Sequence, residues 1–230
     1  MKRFLDRFDV ILLDLNGTFM FGHDRFGPDA DYHATYRSLG GTRLGRDAVV
    51  TAVQACCSAM LREYDRPARF DDYPSLPEAL REYTAVEEED CDILASVFEA
   101  HEIGRVPAAH AAWIRRTATT HKLGIVSNIC GRPEPWRSYL NAEGLLGAFT
   151  YTLFSSDGRS IKPSARIFQR ALAQFPADSR VLFVGDSLDR DIIPARALGL
   201  ATVWLAPAPA SHPAADMVVE SLVDLDAVAA

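Results

Sequence analysis

The chain has little that would tie it to an oxidising compartment, a membrane or a polyanion. Its four cysteines, Cys56, Cys57, Cys91 and Cys130, include no CxxC pair and follow no metal-ligand spacing. Buried or free thiols in a reducing compartment are expected, rather than a disulfide framework. No apolar run approaches the roughly 18 residues that a membrane span needs. The charged start Met1-Lys2-Arg3-Phe4-Leu5-Asp6-Arg7 has no apolar stretch of signal-peptide length. A cytoplasmic protein without a membrane partner is the expectation. Positive charge is short too. The formal net charge of −7 argues against nucleic acid or an anionic membrane as the main partner. It does not exclude a phosphate substrate, because a local site can invert the sign. There is no internal repeat.

What is present is an ordinary globular composition, 48% hydrophobic and 24% charged, in 230 residues. That length suffices for one large core or for a core with a smaller insert. The organising stretch is Val10-Ile11-Leu12-Leu13-Asp14-Leu15-Asn16-Gly17-Thr18. A continuous apolar run ending in turn residues reads as a buried parallel strand. In an open α/β sheet, ligands bind at the carboxyl ends of such strands. Asp14 would stand there, with Gly17 allowing a tight turn behind it. An ordinary strand-to-turn Asp is the alternative for this stretch alone.

Further along, residues 122–128, 149–154, 180–186 and 201–205 read as strands, with helices near 110–119, 136–142, 164–174 and 189–198. Residues 216–219 suggest an edge strand ahead of a short terminal helix. Strands alternating with helices imply a parallel, Rossmann-like α/β sheet covered on both faces. Residues 20–104 differ in texture. They hold helix-compatible stretches at 48–64, 75–83 and from 87 onward, with Ser75 and Glu78 spaced as a capping box. The expected organisation is an α/β core of residues 1–19 and 105–230, with residues 20–104 as an inserted all-helical cap. The acidic run Glu87-Glu88-Glu89-Asp90 is read as a solvated helix start.

Three strands end in polar residues: Asp14, Ser127-Asn128 and Gly185-Asp186. Lys162 follows on a loop. A carboxylate nucleophile attacking phosphate brings two anions together, which cations must offset. Asp14 and Asp186 would hold Mg²⁺ through hard oxygen ligands, with Asp191 a direct or water-bridged ligand. Lys162 would neutralise the phosphoryl group, and Ser127 with Asn128 would bind its oxygens.

These four clusters, in this order, resemble the motifs of the haloacid dehalogenase superfamily. Gly158 before Lys162, Ile167-Phe168 after it, and Ala195 to Gly199 before Thr202-Val203-Trp204 add to the likeness. A helical insert after the first motif is similar to the cap of one subclass. The resemblance implies Asp14 as covalent nucleophile, Ser127 and Lys162 as phosphate binders, and Asp186 with Asp191 on the Mg²⁺ side. It adds the backbone carbonyl of Asn16 as a metal ligand and Thr18 as a partner of the nucleophile. The implied activity is a phosphatase acting on a small phosphorylated metabolite, as monomer or homodimer.

One position departs from the pattern. Phosphatases of this superfamily usually carry an acid–base Asp two residues after the nucleophile, and here that residue is Asn16, which cannot titrate. A leaving group that needs no proton, such as an acyl phosphate, is one explanation. Another is a proton from elsewhere, His23 and Asp24 being nearest in sequence. Loss of turnover, leaving a phosphate-binding regulatory protein, and an introduced Asn that traps the intermediate are the others. Metal-independent 2-haloacid dehalogenation also lacks that Asp, but Gly185-Asp186 supplies an acid where dehalogenases typically have a neutral residue. Arg132 and Arg137 are candidates for a substrate entrance, Trp136 for core, Cys130 for packing, and Arg25, Arg43 and Arg46 for surface roles.

Overall fold

The computed structural model describes residues 3–228. Strand β1 (Val10–Leu13) lies at the centre of a six-stranded sheet, and all four of its side chains are fully buried. Its neighbours are β2 (Lys122–Ser127) and β4 (Val181–Gly185). β3 (Phe149–Phe154) lies outside β2, and β5 (Ala201–Leu205) and β6 (Met217–Val219) lie outside β4. Every pairing is parallel, in the order β3-β2-β1-β4-β5-β6.

Alternation along the strands sorts the core onto two faces, because successive side chains point to opposite sides of a sheet. Ile11, Leu13, Leu123 and Ile125 pack with Trp113 and Ile114 of α5 (Ala108–Thr117) and with Trp136 and Leu140 of α6 (Pro133–Ala142). Val10, Leu12, Val126 and Phe183 pack with Ile167 and Phe168 of α7 (Ala165–Leu172) and with Ala195 of α8 (Ile193–Ala197). Leu13 stands level with Ile125 and Val184, so Asp14, Ser127 and Asp186 all emerge at one edge of the sheet.

Between β1 and α5 the chain builds four α-helices: α1 (Tyr32–Ser38), α2 (Arg46–Tyr64), α3 (Leu76–Tyr83) and α4 (Glu88–Glu102). They enclose their own apolar cluster of Tyr32, Tyr36, Val53, Met60, Leu80, Leu94 and Phe98, joined by Ile161 from the loop that carries Lys162. The chain enters and leaves this unit side by side. Phe21 N–H donates to Arg105 O at 2.9 Å, and Arg105 N–H donates back to Phe21 O at 2.8 Å. The Ser75–Glu78 capping box forms as its spacing predicts.

Three details differ from the sequence expectation. α1 has only seven residues and no long apolar period; its signal is the Asp31 cap, which accepts from Ala34 N–H at 2.9 Å. The helix expected at 189–198 is a π-helical turn, Leu188–Ile192, followed by the short α8. Pro194 sits in the first turn of α8, where a missing N–H is harmless. The terminal helix is a 3₁₀ segment, Leu222–Asp226. Among the described residues no helix is long and apolar enough to cross a membrane.

Leu12 is fully buried in the central strand. Leu12→Ala is expected to lower the unfolding free energy by about 2–5 kcal/mol. Leu39→Ala, at a site 45% exposed, should shift it by no more than about 0.5 kcal/mol. Urea unfolding midpoints of the two variants check this.

Candidate active site

As the chain leaves β1, the amide of Asp14 still donates to Val184 O at 2.9 Å, which fixes this residue at the sheet edge. The turn then closes on itself: the amides of Phe19 and Met20 donate to Leu15 O at 3.0 and 2.9 Å. Gly17 is required there on two counts. Its φ of +78° suits a residue without a side chain, and a Cβ would collide with the Asp186 carboxylate.

The centre of the site is an ammonium held between two carboxylates. Lys162 Nζ donates to Asp14 Oδ1 at 2.6 Å and to Asp191 Oδ1 at 2.6 Å. All three residues are buried, Lys162 to 2% exposure. Burial works against the charge of Lys162, but Asp14 and Asp191 outweigh it and hold the ammonium above the ordinary lysine range. Asp191 is fixed further by Ser187 N–H, which donates to its Oδ2 at 3.0 Å.

Asp186 stands at the rim beside this pair. Desolvation, then the facing charges of Asp14 and Asp191, push its carboxyl up to about 7. Oxygens of Asp14, Asp186 and Asp191 all lie within 4.8 Å of one another. Three carboxylates thus face one ammonium, and hard oxygen donors with surplus negative charge suit one small divalent cation. Both oxygens of Asp191 accept hydrogen bonds, from Lys162 and from the Ser187 amide, so that residue positions the ammonium as well as facing the cluster.

The other expected residues separate. Ser127 is fully buried and its hydroxyl has no partner within the protein. Thr18 Oγ1 lies 3.4 Å from Asp14 Oδ2, a long hydrogen bond. Asn16 Oδ1 is also buried without a partner. The side chain of Asn128, expected to bind phosphate, is instead a brace. Its Nδ2 donates to Tyr64 OH at 2.8 Å and to Lys162 O at 3.0 Å, while its Oδ1 accepts from Lys162 N–H at 2.8 Å. These bonds fix the backbone behind the ammonium.

Comparison with known proteins bears on this geometry. A family model described as HAD-hydrolase-like matches residues 161–225, the segment holding Lys162, Asp186 and Asp191. The chain is 35% identical over 101 residues to glyceraldehyde 3-phosphate phosphatase of Pyrococcus abyssi, covering 43% of this chain and 41% of that protein. It is 38% identical over 86 residues to pyrimidine 5'-nucleotidase YjjG of Escherichia coli, covering 36% and 37% respectively. These matches thus span well under half of the curated relatives' length. Among solved structures, a HAD phosphatase from Thermococcus onnurineus superposes with a TM-score of 0.62 at 24% identity, over 95% of this chain and 96% of that one. A 2-haloacid dehalogenase from Pseudomonas syringae gives a TM-score of 0.62 at 18% identity, over 96% and 97%. At such identities the structural likeness speaks for the fold alone.

Residues 161–225 thus resemble HAD-like hydrolases, and the chain as a whole shares the fold of these structures.

Several residues of the site gave no motif in the sequence. Arg190 Nη1 donates to Lys162 O at 3.0 Å, and its guanidinium lies 4.0 Å from the centre of the Tyr64 ring, tying the Lys162 loop to the end of α2. Glu102, the last residue of α4, accepts from the amides of Cys130 and Gly131 at 2.6 and 2.8 Å. Glu99 accepts from the Arg132 amide at 2.9 Å and its guanidinium at 2.7 Å. The loop after β2 is thus held by acids from the helical unit, and Arg132 is occupied away from any entrance. Arg137 pairs with Asp157 at 2.6 Å, and Trp136 is fully buried in the core. Only the tertiary fold brings these groups together. Their sequence signal was no more than apolar helices ending in acids.

The raised Asp186 carboxyl has a consequence for stability. The folded state keeps a proton that the unfolded state releases near pH 4, so stability is fully present below that value and falls as pH rises through about 7. Thermal melting of metal-free protein should show this decline, and Asp186→Asn should flatten it. Added Mg²⁺ should raise the melting temperature most at the alkaline end.

Proposed function

We propose that this chain is a Mg²⁺-dependent phosphatase of a small phosphorylated metabolite, working through an aspartyl-phosphate on Asp14. The observation that carries the reading is the buried Lys162 ammonium in contact with Asp14, with Asp186 beside them at the sheet edge. Similarity to a glyceraldehyde 3-phosphate phosphatase and a pyrimidine 5'-nucleotidase supports it.

In the reaction, one Asp14 oxygen attacks phosphorus as the ester oxygen departs with its electron pair, and water later hydrolyses the acyl phosphate. Lys162 orients the nucleophile and shares its charge with the arriving phosphoryl oxygens. The Ser127 hydroxyl, free of protein partners, donates to one of those oxygens. Thr18 holds the second oxygen of Asp14 and leaves the first to react. Asp14, Asp186 and the carbonyl of Asn16 would hold Mg²⁺, which supplies Lewis-acid stabilisation of the phosphoryl charge when bound. Asp191 keeps Lys162 in place. The helices of residues 20–104 act as the cap that excludes water and selects the leaving group.

Asn16 can donate a hydrogen bond to the departing oxygen but cannot supply its proton. Turnover should therefore favour leaving groups stable as anions, acetyl phosphate and p-nitrophenyl phosphate above alkyl esters. Displacement on carbon, as in dehalogenation, gains nothing from a third carboxylate at Asp186, so that reading has less support.

Phosphate release should require Mg²⁺, stop with EDTA and vanish in Asp14→Asn. Asn16→Asp should raise kcat on alkyl phosphates by about 10²–10⁴, well above its effect on acetyl phosphate, where only hydrolysis of the acyl phosphate gains. Release that survives both EDTA and Asp14→Asn would contradict the assignment. Binding of phosphate without turnover of any ester would favour the regulatory alternative.

A further inference from the structure

A cavity of about 290 Å³ opens between the helical unit and the sheet edge, with Asn16 and Asn128 on its floor. It is small for a ligand pocket and suits a compact group. Resting on the phosphatase reading above, this is where the leaving group of the ester would lie. Its chemistry has one sign. Two carboxylates line it, Glu102 and Asp24, and no Lys, Arg or His does.

Glu102 is the unusual member. It is 3% exposed, and among the described residues no cation stands within ion-pair distance of it. Two backbone amides are its only donors. A buried carboxylate without a counter-charge is expensive to maintain. Burial first, then the charges of Asp24 and Glu99, push it up to about 8, so at neutral pH an arriving cation is what would bring it to its charged form. Nearby bases are engaged elsewhere. Arg25 donates to the carbonyls of Gly22, Ala100 and Ile103, Arg132 pairs with Glu99, and Arg190 with Asp65. His23 Nε2 lies 3.7 Å from Asp24 and is itself outside the lining. The rest of the wall is aromatic and apolar: Phe26 and Phe98, with ring centres 4.4 Å apart, together with Tyr64 and Tyr73. Aromatic faces beside a carboxylate are a favourable environment for an alkylammonium.

We propose that this cavity receives a cationic leaving group, so that the substrates are phosphomonoesters of amino alcohols. The ammonium would sit against Glu102 and the Phe26–Phe98 pair, and Asp24 would close the mouth. The proposal also meets the difficulty at Asn16. As the Asp14 oxygen–phosphorus bond forms and the ester P–O bond breaks, the electron pair leaves on the alcohol oxygen. A positive charge two carbons away stabilises that oxyanion, which then takes its proton from water. A leaving group carrying a carboxylate or a second phosphate would meet no cation here.

Charge can be varied at constant shape. Phosphocholine and 3,3-dimethylbutyl phosphate differ by one nitrogen for carbon, and phosphoglycolate reverses the sign. In Mg²⁺, kcat/KM should be at least about tenfold higher for phosphocholine than for its neutral isostere, and lowest for phosphoglycolate. Glu102→Gln and Phe98→Leu should each bring the first ratio toward one. The wild-type ratio stands by itself if a variant fails to fold. Calorimetric binding of the same pair to Asp14→Asn reads the preference without turnover. A ratio of one or less in both assays overturns the cationic site, and phosphate release from either ester then leaves the phosphatase reading intact. A binding preference with no release from any ester keeps the cationic site and removes the phosphatase reading.

Discussion

Everything at the sheet edge depends on one buried ammonium. Lys162 lies between Asp14 and Asp191 at 2.6 Å from each, in a setting almost closed to water. Ions in such a place are desolvated at a cost of several kcal/mol apiece, and only close pairing offsets it. The surrounding structure is arranged to hold that pairing. Asn128 and Arg190 fix the backbone of Lys162, the amide of Ser187 fixes Asp191, and the ladder bond from Asp14 to Val184 fixes Asp14. With three carboxylates around a single ammonium, the negative charge left over is what a divalent cation and a transferring phosphoryl group would use together.

The parallel sheet explains why such distant residues meet. β1, β2 and β4 run in the same direction with their ends in register, so positions 14, 127 and 186 share an edge although more than a hundred residues separate the first two. The Lys162 loop reaches that edge from β3, and Ile161 anchors it in the apolar cluster of the helical unit. The same loop therefore belongs to both parts of the molecule. Closure of the helices over a substrate and placement of the ammonium are mechanically linked in the proposed reaction.

Much of this was legible in the sequence because it rests on local signals. Apolar runs followed by turn residues placed Asp14, Ser127 and Asp186 at strand ends, and the Ser75–Glu78 spacing marked a helix start that forms as expected. What escaped was tertiary. Nothing local in Glu99 or Glu102 says that they cap amides of a loop some thirty residues away, and nothing in Asn128 distinguishes a ligand from a brace. α1 was missed because seven residues carry too little periodicity, and the helix expected at 189–198 opens on a π-helical turn that no periodicity signals. The cavity's single sign of charge follows from which arginines are already paired, which a linear reading cannot tell.

Asn16 sets how the central claim is best tested. In the proposed reaction, with no acid–base side chain at that position, water attacks the acyl phosphate unaided, and the covalent state should persist long enough to be caught. The direct measurement is to mix the protein with radiolabelled acetyl phosphate and Mg²⁺, quench in acid within the first turnovers, and map the label by peptide. The account predicts close to one phosphoryl group per chain, bound as an acyl phosphate at Asp14. Label on another residue, or phosphate released with no covalent label at any time, would contradict it.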